Sequence, residues 1–316
     1  PDRKLNPHTE EVKYFYQPVW TEIKDTLEGK LLVYNEYQFK TLNNIYLHWE
    51  LLADGKKFKE GMVNDISIQP KVKAEIDLND FKTNWPENSE ITLNVSYRLK
   101  DQEVLLEKNH LLARQQFILK AYKFTATEKT SGSNLNIKIV ENNSQKVSIS
   151  AGQNIYSFDK KTGWLNQMNM HQQNMLADGS TVVPNFWRAP TDNDMGANLQ
   201  NTFKVWRNPA INLESFEVNQ KNELSVKTRH AIPSVKASIQ TTYQFKSNGD
   251  MIISVNFNAD DTAHMANLFR MGLQWQFNEN FKYVEYYGRG PFENYSDRNN
   301  ASFLGLYNQS VDEQFY

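Results

Sequence analysis

The segment Asn185-Phe-Trp-Arg-Ala-Pro-Thr-Asp-Asn-Asp-Met-Gly196 concentrates an arginine, two aspartates and an asparagine in one short stretch. Two aromatics run into Arg188, and Pro190, which lacks an amide donor, stops regular strand pairing. Asp192, Asn193 and Asp194 favour turns, and Gly196 frees the backbone beyond them. The segment therefore reads as a buried strand end opening into a loop rich in hydrogen-bonding groups. Three chemistries suit such a loop. Oxygens at Asp192 and Asp194 resemble the start of a calcium loop, but the twelfth position, where an EF-hand places glutamate, is Phe203. Bonds from these side chains to nearby backbone would instead make a purely structural turn. The same groups also suit a loop lining a sugar site.

A second constellation runs from Tyr286 to Arg298 and contains Arg289, Glu293, Asp297 and Arg298. Glu293 and Asp297 have the residue types of a glycosidase pair, which works at about 5 Å or about 6.5–9.5 Å separation. Arg289 and Arg298 would keep both ionised, whereas a general acid needs the opposite shift. Charge-assisted pairs fixing a loop between strands are the better reading. The Gly288-Arg-Gly290-Pro turn is no dinucleotide fingerprint, because Pro291 follows and no βαβ unit surrounds it. Three Asn-Glu pairs, at Asn35-Glu36, Asn222-Glu223 and Asn278-Glu279, match the order around one class of glycosidase acid/base. The first lies mid-strand and the others in polar turns, so none has the right setting. Six histidines without HxH or HxxxH spacing argue against a zinc site. Zero cysteines exclude disulfides and thiol nucleophiles.

Strands must position these groups. Aromatics make up 13% of the chain, a composition that favours strands. Leu31, Val33, Asn35, Tyr37 and Phe39 share one face, as do Ile45, Leu47, Trp49 and Leu51. Ile66 and Ile68 alternate before Pro70, and residues 91–99 form the cleanest stripe. Asp54-Gly55, Asp159 to Gly163 and Lys246 to Asp250 read as hairpin turns. Residues 115–125 suggest a crossover, and residues 271–277 and 281–287 two more aromatic strands. The best helical candidate is Asn198 to Trp206. The pattern predicts an all-β chain: a linker over 1–14, an immunoglobulin-like sandwich over 15–117 and a second sandwich over 118–316.

At 316 residues the chain suits two domains of roughly 100–200 residues each. A net charge of −2 without a basic stripe disfavours nucleic acid and anionic membrane as partners. No apolar run approaches about 18 residues, so nothing reads as a membrane-spanning helix. The start at Pro1-Asp-Arg-Lys, without Met or signal region, reads as a piece of something longer.

Together the segment Phe186 to Gly196, the stretch Gly288 to Arg298 and Phe158-Asp-Lys-Lys-Thr-Gly163-Trp-Leu resemble the fifth domain of lac-operon-type β-galactosidases, glycoside hydrolase family 2. Tyr46 to Gly61 resembles that family's immunoglobulin-like fourth domain, and Asp2 to Lys13 the exit from its catalytic barrel. The resemblance implies that 118–316 is part of a large antiparallel super-sandwich related to galactose mutarotases, truncated at its C-terminus. It implies a retaining enzyme acting on terminal β-galactosides such as lactose, with two catalytic glutamates on a barrel that also holds Mg²⁺ and Na⁺. No catalytic residue, metal ligand or cofactor is then expected in this chain. Its expected partners are the barrel of the same polypeptide, a galactoside through the full enzyme, and copies of itself in a homo-oligomer. A bacterial cytoplasm is the expected compartment, with a periplasm also open. By the resemblance, Arg188, Asp192, Asn193, Asp194 and Gly196 belong to a loop that closes toward the active-site mouth, while Arg289, Glu293, Asp297 and Arg298 are structural. A free-standing carbohydrate-binding module and an oligomerisation unit are the competing readings.

Overall fold

The computed structural model describes residues 5, 6, 8–123, 135–221, 223–260 and 265–314. Pro1, Pro7, the end of the expected crossover at 124–125, Asn222, His264, Phe315 and Tyr316 lie outside the described residues. Contacts along the chain define two compact units, Pro1–Ala126 with Lys282–Tyr316, and Thr127–Phe281.

The stretch expected as a linker contains a helix, α1 (His8–Phe15), with Glu10 and Glu11 in its first turn and Lys13 in its last. Those charges complement the helix dipole. None of its residues is buried, so no apolar period announced it.

Seven strands follow: β1 (Val19–Asp25), β2 (Lys30–Asn35), β3 (Ile45–Ala53), β4 (Lys56–Val63), β5 (Lys73–Asp77), β6 (Ile91–Leu99) and β7 (Leu111–Lys120). They form two antiparallel sheets, β1-β2-β5 and β4-β3-β6-β7. Val19, Leu31 and Val33 from the first sheet share one core with Leu47, Trp49, Leu51, Leu93 and Val95 from the second. That is the immunoglobulin-like sandwich the alternation predicts. Trp49 is fully buried, and its indole lies so close to Gly61 that a Cβ there would stand 2.5 Å from the ring. The Asp54-Gly55 turn joins β3 to β4 with φ of 46° and 77°, values that suit a tight hairpin.

Three apolar positions depart from the expected stripes. Strand β2 ends at Asn35, whose buried amide donates to Lys40 O and Ile68 O, both at 2.9 Å, and accepts from Tyr37 N at 3.0 Å. The chain turns there, and Phe39 ends 97% exposed instead of on the core face. Ile66 and Ile68 are buried, but in irregular chain.

The second unit contains β8 (Ile137–Asn142), β9 (Lys146–Ala151), β10 (Asn154–Asp159), β11 (Leu165–Met170), β12 (Gln173–Asn174) and β13 (Val183–Asn185). After two short helices come β14 (Asn212–Asn219), β15 (Ser225–Ile232), β16 (Ala237–Phe245), β17 (Met251–Ala259) and β18 (Gly272–Gln274). Sheets β12-β11-β10-β9-β8 and β14-β15-β16-β17 enclose a core in which Phe158 meets Tyr243 at 4.8 Å and Tyr156 meets Phe245 at 5.2 Å. The hairpins at Asp159 to Gly163 and Lys246 to Asp250 form where expected.

The last hairpin, β19 (Tyr283–Gly290) and β20 (Phe303–Ser310), packs in the first unit. The Gln116 amide donates to Leu304 O at 2.8 Å and accepts from Leu304 N at 2.7 Å, imitating a strand pairing. Arg114 donates to Ala301 O at 2.9 Å, and the Tyr287 hydroxyl donates to Glu90 at 2.5 Å.

In the second unit, His230 on β15 is fully buried and stacks on Trp164 at 3.6 Å and 3°. Its Nε2 lies 2.8 Å from Thr162 O, while Nδ1 has no partner among the described residues. Gly163 has φ of 79°, and a Cβ on it would stand 2.9 Å from the imidazole. Burial lowers the His230 pKa, against weaker opposing effects from the Thr162 carbonyl and Glu214. The unfolded chain therefore takes up this proton first as pH falls below about 6.5. Stability should fall with pH from there until the depressed folded-state pKa is reached. Urea midpoints at pH 7.5 and 5.5 should show that fall, and His230→Phe, which keeps a ring against Trp164, should remove most of it. An unchanged slope in the variant would refute the assignment.

Candidate functional site

The Asn185–Gly196 segment begins on β13, which pairs with β18. Phe186 is buried against Trp206 at 5.1 Å and Phe257 at 5.9 Å, which fixes the strand end expected from the sequence. Asn185 accepts from Trp187 N at 2.8 Å and starts the turn. Trp187, Arg188 and Phe203 converge on the Phe269 ring, at 4.9, 4.8 and 5.1 Å.

Beyond Pro190 the chain forms a single helical turn, α2 (Asp192–Gly196), where the sequence pattern predicts a loop of Asx-type bonds. Thr191 is its N-cap, with a reciprocal capping box: Asp194 N donates to Thr191 Oγ1 at 3.3 Å, and Thr191 N donates to Asp194 Oδ2 at 2.8 Å. A side chain that reaches back to the cap favours a helix start over an open loop. A second short helix, α3 (Leu199–Thr202), and a 3-10 turn, Lys204–Trp206, lie within the expected helical stretch.

Arg188 and Asp194 meet in a two-pronged pair at 2.5 and 3.2 Å. The Arg188 hydrogen bond, helped by the Thr191 amide, holds the Asp194 carboxyl at about 2, well below the usual range. Asp194 is buried and permanently anionic at neutral pH, and its oxygens are committed to a cation and an amide. This leaves the calcium reading without its second ligand. Asp192, Asn193 and Gly196 are exposed on the same turn. The structure thus joins two of the five expected loop residues and leaves three facing outward.

The Tyr286–Arg298 stretch occupies the end of β19 and the turn beyond it. Arg298 donates to Glu293 at 3.2 Å, one charge-assisted pair of the kind expected among these four residues. Arg289 donates instead to two carbonyls, Ser302 O at 2.9 Å and Asn299 O at 3.2 Å, and Asp297 is exposed. Glu11 of α1 accepts from Asn300 N, Asn300 Nδ2 and Ala301 N at 3.0, 2.7 and 2.9 Å. Burial opposes its charge, but these hydrogen bonds outweigh it and lower its pKa. Glu36 accepts from Trp20 at 2.8 Å and Glu223 from Lys246 at 2.6 Å, while Glu279 is exposed. None of these has a glycosidase setting.

Sequence spacing missed one group. His48, Glu50 and Glu60 bring ligand-type atoms within 4.8 Å of one another. Alternation puts His48 and Glu50 on one face of β3, and the register sets Glu60 opposite Glu50, so hairpin pairing was the only signal. Lys57 Nζ lies 2.9 Å from Glu60 and 3.5 Å from Glu50, so the carboxylates are met by a cation from the protein itself.

Paired antiparallel sheets, with an arginine-clamped turn at a strand end, define an all-β protein built from sandwiches. The family described as β-galactosidase small chain matches residues 150–316, and β-galactosidase domain 4 matches residues 31–120. Both sequence motifs lie inside the first of these matches. A β-galactosidase of Priestia megaterium is 29% identical over 99% of this chain and 30% of its own length. Those of Clostridium acetobutylicum and Lactobacillus delbrueckii subsp. bulgaricus are 27% and 26% identical over 97% and 99% of this chain, and 33% and 30% of their own. The chain belongs to the β-galactosidase small-chain family, and it spans about a third of the length of these relatives.

A carboxyl titration by NMR should place the Asp194 midpoint near 2. The pairing should be intact above the usual aspartate value of about 3.9 and be lost as pH falls toward that midpoint. Arg188→Gln should move the midpoint up by about one unit or more. A wild-type midpoint near the ordinary value would contradict the clamp.

Proposed function

We propose that this chain is a non-catalytic part of a family 2 β-galactosidase that cleaves terminal β-galactosides of the lactose type with retention. In this reading the two catalytic glutamates, Mg²⁺ and Na⁺ belong to a barrel of the same polypeptide. The whole enzyme acts in the cytoplasm or periplasm as a homo-oligomer. Among the described residues no helix is long and apolar enough to cross a membrane.

The observation that carries this reading is the Arg188–Asp194 clamp. It anchors the base of an exposed turn to a buried strand end while leaving the Asp192–Gly196 surface outward. A fixed base with a free rim is what a loop at the mouth of an active site requires. The acids support the same conclusion. A glycosidase acid needs a raised pKa, yet every described carboxyl with a shifted pKa is lowered: Glu11, Glu22, Asp25, Glu60, Glu103, Asp194 and Glu313. The His48–Glu50–Glu60 group does not suit Mg²⁺, which prefers oxygen ligands and would have to displace Lys57.

The purified chain should release no nitrophenol from nitrophenyl β-galactoside above the buffer rate. Measurable turnover would refute the non-catalytic role. A Cβ at Gly196 would meet nothing within 4 Å, and its φ is not left-handed, so Gly196→Val should leave this chain's urea midpoint nearly unchanged. In the full-length enzyme the same change should alter kcat and KM together, because the turn must still move. Unchanged kinetics would remove the mobile-loop role.

A further inference from the structure

A cavity of about 600 Å³ in the first unit lies against helix α1 and the residues that follow β19. Its size falls within the range of roughly 300–1,000 Å³ typical of small-molecule sites. The frame is held independently of any occupant. Glu11 ties α1 to the chain at Asn300 and Ala301. Arg289 is fixed on the carbonyls of Asn299 and Ser302, and Asn294 donates to Phe292 O at 3.1 Å.

Against that frame stand polar groups of another kind. Glu10, Tyr286 and Asn6 line the cavity, and their side chains make no hydrogen bond with any described residue. Phe292 and Tyr286 add two half-buried aromatic rings. Three carboxylates, of Glu10, Glu293 and Glu313, outnumber the one guanidinium in the lining, of Arg289, whose Nη1 serves two backbone carbonyls. Glu293 is paired with Arg298 and Glu313 accepts from Ser310, so Glu10 is the carboxylate left to meet a ligand. Such a lining repels anions and accepts hydrogen bonds from hydroxyls. Its rings match the C–H face of a pyranose, which is apolar enough to stack.

We propose that this cavity binds a neutral saccharide of one or two rings. One ring face lies on Phe292 and Tyr286, and sugar hydroxyls donate to Glu10 and bond with the Tyr286 hydroxyl. This site rests on the cavity lining alone and is independent of hydrolysis elsewhere in the polypeptide.

Calorimetric titration of the 316-residue chain with lactose tests it, with galactose 6-phosphate as the anionic comparison. Saturable binding is expected, weakened about fivefold by Tyr286→Phe and at least that much by Glu10→Ala, each a lost hydrogen bond. Tyr283→Phe, on the same strand but outside the cavity, should leave affinity unchanged. Galactose 6-phosphate should bind at least about tenfold more weakly than lactose. Circular dichroism should confirm that each variant folds. The proposal is overturned by no saturable heat up to roughly 50 mM lactose, by affinity unchanged in either cavity variant, or by phosphate-sugar binding equal to that of lactose. Turnover of a galactoside by this chain would refute the non-catalytic reading and leave this one standing, whereas absent binding would do the reverse.

Discussion

Each large sheet in this protein has one apolar face, and that face is stable only when another sheet covers it. Both units solve the problem in the same way, with inward side chains meeting between two antiparallel layers. Trp49 shows the energetic scale. Burying a large aromatic removes roughly 150–250 Å² from water, on the order of 4–6 kcal/mol as an upper bound. Such burial tolerates little local variation, because the indole lies directly on Gly61 and a β-carbon there would collide with it. In the other unit the Phe158, Tyr243 and Phe245 rings fill the equivalent space.

The charged pair at the functional turn works on a different scale and for a different purpose. Arg188 is partly exposed, so its attraction to Asp194 is screened and adds modestly to stability. What the pair contributes is position. Arg188 stacks on Phe269, Asp194 caps the turn through Thr191, and the two meet across six residues. A rigid base and an exposed rim follow from that arrangement. An ion pair with these partners also fixes the charge of Asp194, which makes the carboxylate a strut and unsuited to proton transfer.

Long-range contacts give the first unit its other notable feature. The hairpin of β19 and β20 lies far along the chain from β7, yet Gln116 and Arg114 bind its backbone. Glu11 binds the turn from the opposite end of the sequence. The saccharide-sized cavity is walled by neighbouring residues, Asn6 and Glu10 on one side and Tyr286, Arg289 and Phe292 on the other. The segment matched as small chain thus contributes to both compact units.

The sequence by itself determined the fold class, the three hairpin turns and the strand end at Phe186. Alternation and turn glycines are local signals, and local geometry decides them. It did not mark β9 or β15, because Ser148, Ser150, Thr228 and His230 stand on faces that are buried, so polar residues interrupt the apolar stripe. It also did not mark α1, which buries nothing, or the exposure of Phe39, which depends on Asn35 turning the chain. Only the tertiary structure decided that Asp194 is clamped while Asp192 is free, that His48 meets Glu60, and that Glu10 and Tyr286 face one cavity. The reason is physical: a side chain's charge and partners depend on what folding brings beside it, whether from one turn away, as Arg188 to Asp194, or from far along the chain, as Glu10 and Tyr286.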